Sequence, residues 1–220
     1  MKFSKETITI LKNFAAINGN VQFKPGSVLS TITPQRNIMA SVTIKEVFPV
    51  EFLIYDLSQF LGVLSLFDDP DIIFEDDMKM ARIKEGRTQI KYHAADRSVL
   101  VLPPEKQIKF PGADVSFTVT QQMISAIQKT GSVLSVPDVS FIGDGANLIL
   151  RVSDIKSGSN AYEVELGSTD KTFSANIRLD SMKMLSQDYT VELSSKKISK
   201  WTAVNGDMTV YVALESSSTF

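Results

Sequence analysis

The stretch SKETITILKNFAAI, Ser4 to Ile17, reads as one helix with two dissimilar faces. Ser4 is a good N-cap, since its hydroxyl can accept from an unpaired first-turn N–H. Ile8, Leu11, Phe14 and Ala15 follow at three- and four-residue steps and form an apolar stripe. Lys5, Thr9, Lys12 and Ala16 fall almost in line on the other side. That line is basic or small, and the helix's one acid, Glu6, lies off it in the first turn, where the helix dipole favours an acid. Two readings stand: an ordinary solvated face, or a surface kept free of carboxylates because a polyanion passes it. The rest of the chain decides between them.

Outward from this helix, Val21–Phe23, Val28–Thr33 and Ile38–Ile44 are short alternating runs, divided by Pro25-Gly26 and a turn at Pro34–Asn37. Val47–Tyr55 is a further strand, irregular at Pro49. A second helix, Tyr55–Phe67, is capped by Asp56 and buries Leu57, Phe60, Leu61 and Leu64, while Ser58, Gly62 and Ser65 form a small-residue face. Ile72–Phe74, Met78–Lys84 and Thr88–Tyr92 are three more strands. Residues 94–112, punctuated by Pro103-Pro104 and Pro111-Gly112, read as an interdomain linker. Domains are therefore expected at 1–110 and 111–220.

Past the linker the order begins again. Val115–Val119 is a strand, and Thr120 caps a helix that runs through Thr130 and stops at Gly131. Ile124 and Ile127 are its buried residues, with Met123 beside them. Its polar residues are Gln121, Gln122, Ser125, Gln128 and Lys129, again without an acid. Strands are expected at Val133–Ile142, Leu148–Val152, Tyr162–Leu166 and Phe173–Leu179. A short helix, Asp180–Leu185, follows with Lys183 exposed, and then strands Tyr189–Leu193, Lys200–Val204 and Met208–Leu214. Asp144-Gly145 and Asn205-Gly206 are hairpin turns. Each half thus carries two helices on antiparallel strands, an α+β pattern repeated in order rather than in letters.

Bulk properties narrow the classes. The 220 residues are 43% hydrophobic and 22% charged, a globular composition. No apolar run approaches the ~18 residues of a membrane span, and no signal-peptide pattern opens the sequence. There is no cysteine, which excludes disulfides and thiolate zinc sites and fits a reducing cytosol. The net charge is -2, so positive charge must be sorted onto one surface if the partner is a nucleic acid. Residues 1–110 hold 14 basic and 13 acidic side chains, and residues 111–220 hold 9 and 12. The helical faces carry Lys5, Lys12, Lys129 and Lys183, whereas acids cluster at Asp68, Asp69, Asp71 and Glu75–Asp77. Charge is sorted by element.

Reaction chemistry is sparse. His93 is the only histidine and neighbours no nucleophile in sequence, so a multi-histidine metal site is impossible. The acids of 68–77 are potential ligands for a hard cation, but they fill a helix end and hairpin turns, where Asp is favoured anyway. Gly143-Asp144-Gly145 joins two strands and opens no helix, unlike a phosphate loop. Trp201 with Tyr189 and Tyr211 is either a base-stacking platform or alternating strand packing. Nothing here points to an enzyme.

At this point a family resemblance appears. Met1-Lys2-x-Ser4-Lys5, then Leu11-Lys12-Asn13-Phe14-Ala15 and Ile17-Asn18, is similar to the N-terminal helix of the trimeric DNA polymerase sliding clamps of T-even-type bacteriophages. Ile54-Tyr55-Asp56-Leu57, Phe60-Leu61-Gly62 and Leu64-Ser65-Leu66 resemble their second helix. Shorter echoes are Ala94-Ala95-Asp96, Met182-Lys183-Met184 and Val212-Ala213-Leu214-Glu215. The order of elements matches over the full length, but the middle of the second half departs widely in residues, and two more basic family positions on the third helix appear here mainly as Gln128 and Lys129.

The resemblance implies the DNA-clamp fold: a homotrimeric ring around double-stranded DNA, with helices lining the hole, sheets outside, and no cofactor. Sequence-independent phosphate attraction suits such a ring, because it holds DNA topologically and must still slide. DNA-facing residues would be Lys5, Lys12, Lys129, Lys183 and Lys2. Ring closure would pair Thr88, Ile90 and Tyr92 with Tyr162 and Val164 of the next subunit. A pocket near Val101, Leu102, Ile108 and Leu214 would take C-terminal peptides of the DNA polymerase, and an ATP-dependent clamp loader would open the ring. The setting would be the cytoplasm of an infected bacterium. Two rivals remain: a β-rich trimeric virion structural protein, which needs no acid-free helix faces, and a single-strand-binding protein, which needs aromatics interleaved with basic residues.

Overall fold

The structure, a computed structural model, describes every residue except Asp76, Gln107 and Ser159. The chain divides into two compact units, Met1–Gln107 and Ile108–Phe220. No helix among the described residues is long and apolar enough to cross a membrane.

In the first unit the order is α1 (Lys5–Ile17), β1 (Val21–Phe23), β2 (Gly26–Ile32), β3 (Ile38–Phe48), β4 (Phe52–Ile54), α2 (Leu57–Leu64), β5 (Asp71–Phe74), β6 (Met80–Glu85) and β7 (Thr88–His93). β2 and β3 form a hairpin with Leu29 opposite Val42, β1 pairs with β4, and β5-β6-β7 is a meander. An aromatic cluster fills the core. Phe23 stacks on Phe48 at 4.3 Å, and Phe3 presents its edge to Phe23, Phe48 and Phe60. Such pairs add about 0.5–1.5 kcal/mol each beyond the area they bury.

Two sequence expectations change here. β3 does not stop at Ile44; it runs unbroken to Phe48, and Pro49 falls in the bend beyond. The inward side of this strand reads Val42, Ile44, Glu46, Phe48, so one polar residue interrupts an otherwise apolar series. On α1, the fully buried residues are Thr7, Ile10, Leu11, Phe14 and Ile17, while Ile8 and Ala15 are half-buried. The helix is turned slightly from the expected stripe because Thr7, 1% exposed, brings its hydroxyl to Glu46.

The stretch expected as linker is partly tied to the first unit. Ala94 and Ala95 donate to the carbonyls of Lys79 and Leu53, and Asp96 caps a single 3-10 turn at Arg97–Val99. Arg97 bridges Glu51 and Glu105 at 3.0 Å each. Asn18 Nδ2 donates to the Val101 carbonyl and Asn20 Oδ1 accepts from its N–H, both at 2.9 Å.

The second unit holds β8 (Val115–Val119), α3 (Gln121–Leu134), β9 (Asp138–Asp144), β10 (Asn147–Ser153), β11 (Tyr162–Ser168), β12 (Thr172–Arg178), β13 (Tyr189–Ser194), β14 (Ile198–Ala203) and β15 (Thr209–Ala213). Its strands run in the orders β11-β10-β9-β12 and β8-β13-β14-β15, antiparallel throughout. Trp201 and Tyr189, both fully buried, pack edge-on at 6.1 Å, and Phe141 meets Trp201 at 5.8 Å.

Gly131 does not end α3. The helix continues to Leu134 and is closed by Ser135 in the left-handed region at φ 54, so the strand expected from Val133 starts only at Asp138. The expected fourth helix, Asp180–Leu185, is reduced to one 3-10 turn at Leu179–Ser181. Beyond it the chain is irregular, with Met182 and Met184 buried on either side of half-buried Lys183. This segment lies along α3. Gln128 Nε2 donates to the Met182 carbonyl at 3.2 Å, Ser186 Oγ meets Ser125 Oγ at 3.1 Å, and Asp188 accepts from the Gln121 N–H at 2.7 Å. These bonds to α3 hold the segment without a helix of its own.

Sheet edges are treated unequally. At β5, the Ile72 N–H donates to the Met1 carbonyl at 2.7 Å and the Met1 nitrogen donates to the Ile72 carbonyl at 2.8 Å. At β12, Ser174 and Thr219 exchange backbone hydrogen bonds of 3.0 and 2.8 Å, and Phe220 stacks on Phe173. Among the described residues β7 and β11, like β2 and β8, each have a strand neighbour on one side only.

Candidate nucleic-acid interface

Helix α1 presents Lys5, Thr9, Lys12 and Ala16 to solvent, all four exposed. Among the described residues Lys5, Lys12 and Lys129 make no ion pair. Their ammonium groups are hydrated point charges on flexible stems, suited to phosphate attraction without base readout. Lys2 differs. It is hydrogen-bonded to the Asp69 carboxylate, which raises its pKa, and it also donates to the Asp69 carbonyl. Its charge is largely balanced in place.

α1 and α2 lie side by side. Between α1 and the segment after α2 runs a groove of about 360 Å³, floored by Ile8, Leu61, Leu64 and Ile72. Lys5 and Lys12 line it together with Asp68 and Asp69. Ser58, Gly62 and Ser65 are exposed on α2, and no atom lies within 4 Å of where a Gly62 Cβ would stand. The glycine is not required by packing inside this unit.

In the second unit Gln121, Gln122, Gln128 and Lys129 are exposed on α3, so that face is polar with a single charge. Lys183 sits half-buried on the irregular segment beside α3 rather than on a helix.

Sequence reading missed how α1 is held. A capping box pairs an N-cap Ser with an acid three residues on, which reaches back to the N-cap N–H. Here that third position is Thr7, and the acid comes from β3. Glu46 Oε1 accepts from the Ser4 N–H at 2.5 Å, and Oε2 accepts from the Thr7 hydroxyl at 2.6 Å. Ser4 Oγ in turn accepts from the Thr7 N–H at 3.2 Å. Burial pushes the Glu46 pKa upward, but these hydrogen bonds more than offset it, leaving the carboxyl below its ordinary value. The available signal was an acid at an inward strand position, joined to a helix start with threonine rather than an acid at the third position after the cap.

Other candidates fall elsewhere. Ile90 and Tyr92 are half-buried on the edge strand β7, with Thr88 exposed at its start; Tyr162 and Val164 are half-buried on β11. A hollow of about 440 Å³ beside β7 is lined by Ile90, Lys91 and Tyr92 of β7, Val63 of α2 and Tyr55 just before α2. Glu163 and Glu165 are the exposed residues alternating with Tyr162 and Val164. Val101 and Leu102 belong to the first unit and Ile108 and Leu214 to the second, so neither unit alone assembles the four. His93 is exposed, and among the described residues no group of three or more His, Asp or Glu could hold a metal; Asp76 lies outside them. Trp201 and Tyr189 are buried, and burial pushes the Tyr189 hydroxyl up to about 12, so they form no stacking platform.

This architecture is that of the DNA clamps. Proliferating cell nuclear antigen of Thermococcus kodakaraensis matches with a TM-score of 0.70 at 13% identity, over 98% of this chain and 99% of that one. The A. fulgidus protein of the same name, solved with the C-terminal region of FEN-1 bound, matches with a TM-score of 0.66 at 14% identity, over 96% of each. In sequence, residues 4–102 match the family of DNA polymerase processivity factors, and the sliding clamp of Enterobacteria phage T4 is 30% identical over 226 residues, 100% of this chain and 99% of that one. The chain belongs to the sliding-clamp family of phage DNA polymerase processivity factors, and its function is to tether a DNA polymerase during synthesis. A virion structural role is not favoured.

Proposed function

We propose that three copies of this chain close into a ring around duplex DNA, with Lys5 and Lys12 of α1 facing the phosphates and Lys129 and Lys183 as weaker companions. Lys2 contributes least, since Asp69 holds it. The chain acts as a tether and performs no chemistry of its own; an ATP-dependent loader opens the ring, and the setting is the cytoplasm of an infected bacterium. One observation supports this reading: β5 and β12 are edge-paired by residues of the same chain, while among the described residues β7 and β11, at the ends of their sheets, have no strand on the outer side. Exposed strand edges are liabilities that proteins cover or use, and pairing β7 of one copy with β11 of the next uses both. Ile90 and Tyr92 would then meet Tyr162 and Val164, with Lys91 near Glu163 and Glu165. Val101, Leu102, Ile108 and Leu214 would receive a C-terminal peptide of the polymerase, as a clamp of the same fold receives the C-terminal region of FEN-1.

Native mass measurement combined with retention on circular and linear duplex tests the ring. A trimer that stays on closed circles and runs off linear DNA is expected. Equal retention on both, or a stable monomer, overturns the reading.

A further inference from the structure

We infer that Glu46 is a positioning residue for DNA attraction: a carboxylate on β3 that completes the cap of α1 from outside the helix and thereby fixes where Lys5 points. The inference rests on the DNA-facing reading of Lys5 and Lys12.

Three observations carry it. Glu46 occupies an inward position between Ile44 and Phe48, both buried, so a carboxylate there needs partners to be tolerated. It has them: the Ser4 N–H at 2.5 Å and the Thr7 hydroxyl at 2.6 Å, one on each oxygen. These donors bracket Lys5, which is the first helical residue. Binding both sides of Lys5 to a strand of the sheet removes the fraying expected of a first helical turn.

The arrangement also solves an electrostatic conflict. An acid near a helix N-terminus is favourable, but an acid on the outer face of α1 would repel phosphate. Supplying it from the buried side satisfies the helix and leaves the exposed line basic. The same device recurs in the second unit, where α3 carries no acid and Asp188 accepts from the Gln121 N–H at 2.7 Å. The first-turn acid that α1 carries itself, Glu6, lies off the Lys5–Lys12 line and pairs with Lys45 at 2.8 Å.

The test turns on a sign. Glu46→Ala removes a negative charge, which by long-range electrostatics alone strengthens attraction to DNA. Positioning predicts the reverse. Fluorescence anisotropy with a labelled 30-base-pair duplex at low salt, on the full-length protein, should show Glu46→Ala weakening binding by about threefold, the loss expected for one poorly placed phosphate contact per chain. Lys5→Ala should weaken it similarly, and Glu46→Ala should add nothing in the Lys5→Ala background. Thr7→Glu rebuilds a local capping box and should restore binding to Glu46→Ala. Glu46→Gln keeps the side-chain shape and guards against loss of folding; it should fall between wild type and Glu46→Ala.

Hydrogen exchange of the free protein separates the two layers of the argument. Amides of residues 5–8 should exchange faster in Glu46→Ala and slow again with Thr7→Glu. Unchanged exchange there, or tighter DNA binding by Glu46→Ala while Lys5→Ala weakens it, overturns the inference. If Lys5→Ala leaves duplex binding unchanged, the DNA-facing reading itself falls.

Discussion

Gly131 and Leu179 are packed so closely that a Cβ on the glycine would stand 2.2 Å from Leu179 Cδ2. This contact joins α3 to the segment that replaces a second helix in the second unit. It makes the glycine a packing residue in mid-helix rather than a stop. Gly62 is the counterexample on α2, with open space where its Cβ would be. The same substitution should therefore have opposite signs. Gly62→Ala should stabilise by about 1 kcal/mol, the helix-propensity difference. Gly131→Ala should instead destabilise by about 1–3 kcal/mol through overpacking, and Leu179→Ala should relieve it in the double variant. Urea unfolding of the four proteins measures both signs.

Gly131 also shows what the letters could and could not carry. Ser4, Asp56 and Thr120 announce helix starts, and each side chain does accept from an N–H of the first turn. Starts are local chemistry and are legible. Gly131 looked like a helix end because glycine favours C-caps, but only the position of Leu179, 48 residues away in sequence, reveals why it is there. Met182 and Met184 look helical beside Leu179 and Leu185 until α3 takes up the polar groups between them. At the interface the lysines of α1 were readable from periodicity, whereas the pairing of Lys2 with Asp69 and the reach of Glu46 to Ser4 are tertiary. Glu46 falls in the gap between the strands expected at Ile38–Ile44 and Val47–Tyr55, where β3 in fact runs on.

Lys5→Glu combined with Lys12→Glu should lower polymerase processivity and impair loading with no loss of folding, because both side chains are exposed. Lys2→Ala should change DNA retention less than Lys5→Ala does, since Asp69 already balances it. Primer extension on a single-primed circle, with circular dichroism melts as control, compares them. A Lys2→Ala effect equal to that of Lys5→Ala would contradict the ranking.

Ile90→Asp on β7, or Val164→Asp on β11, should shift the native mass from trimer toward monomer by burying an unpaired carboxylate at the proposed seam. Each monomer should keep its circular dichroism spectrum, because both side chains are only half-buried within the chain. An intact trimer in both variants places the seam elsewhere.

Glu46 gives a pH dependence of defined sign. Its carboxyl lies below its ordinary value in the folded protein because the Thr7 and Ser4 hydrogen bonds more than offset burial, which alone would raise it. Such a group contributes stability above its unfolded pKa and loses it as pH falls through the lowered folded value. Wild type should therefore lose more stability than Glu46→Gln on acidification from neutral pH into the range of carboxylate titration. Urea midpoints across that range check it, and parallel curves would exclude Glu46 as a contributor.

The proposed seam between β7 and β11 would join two unlike edges of the chain. A contact between unlike patches is heterologous: each copy offers one edge and consumes the other, so the number of copies is set by rotation alone and not by any self-complementary patch. Such a chain has two fates, a closed ring or an endless helical fibre, and a few degrees at the seam decide between them. Substitutions that tilt β7 against α2, without weakening the pairing itself, should turn up as polymers long before they turn up as monomers.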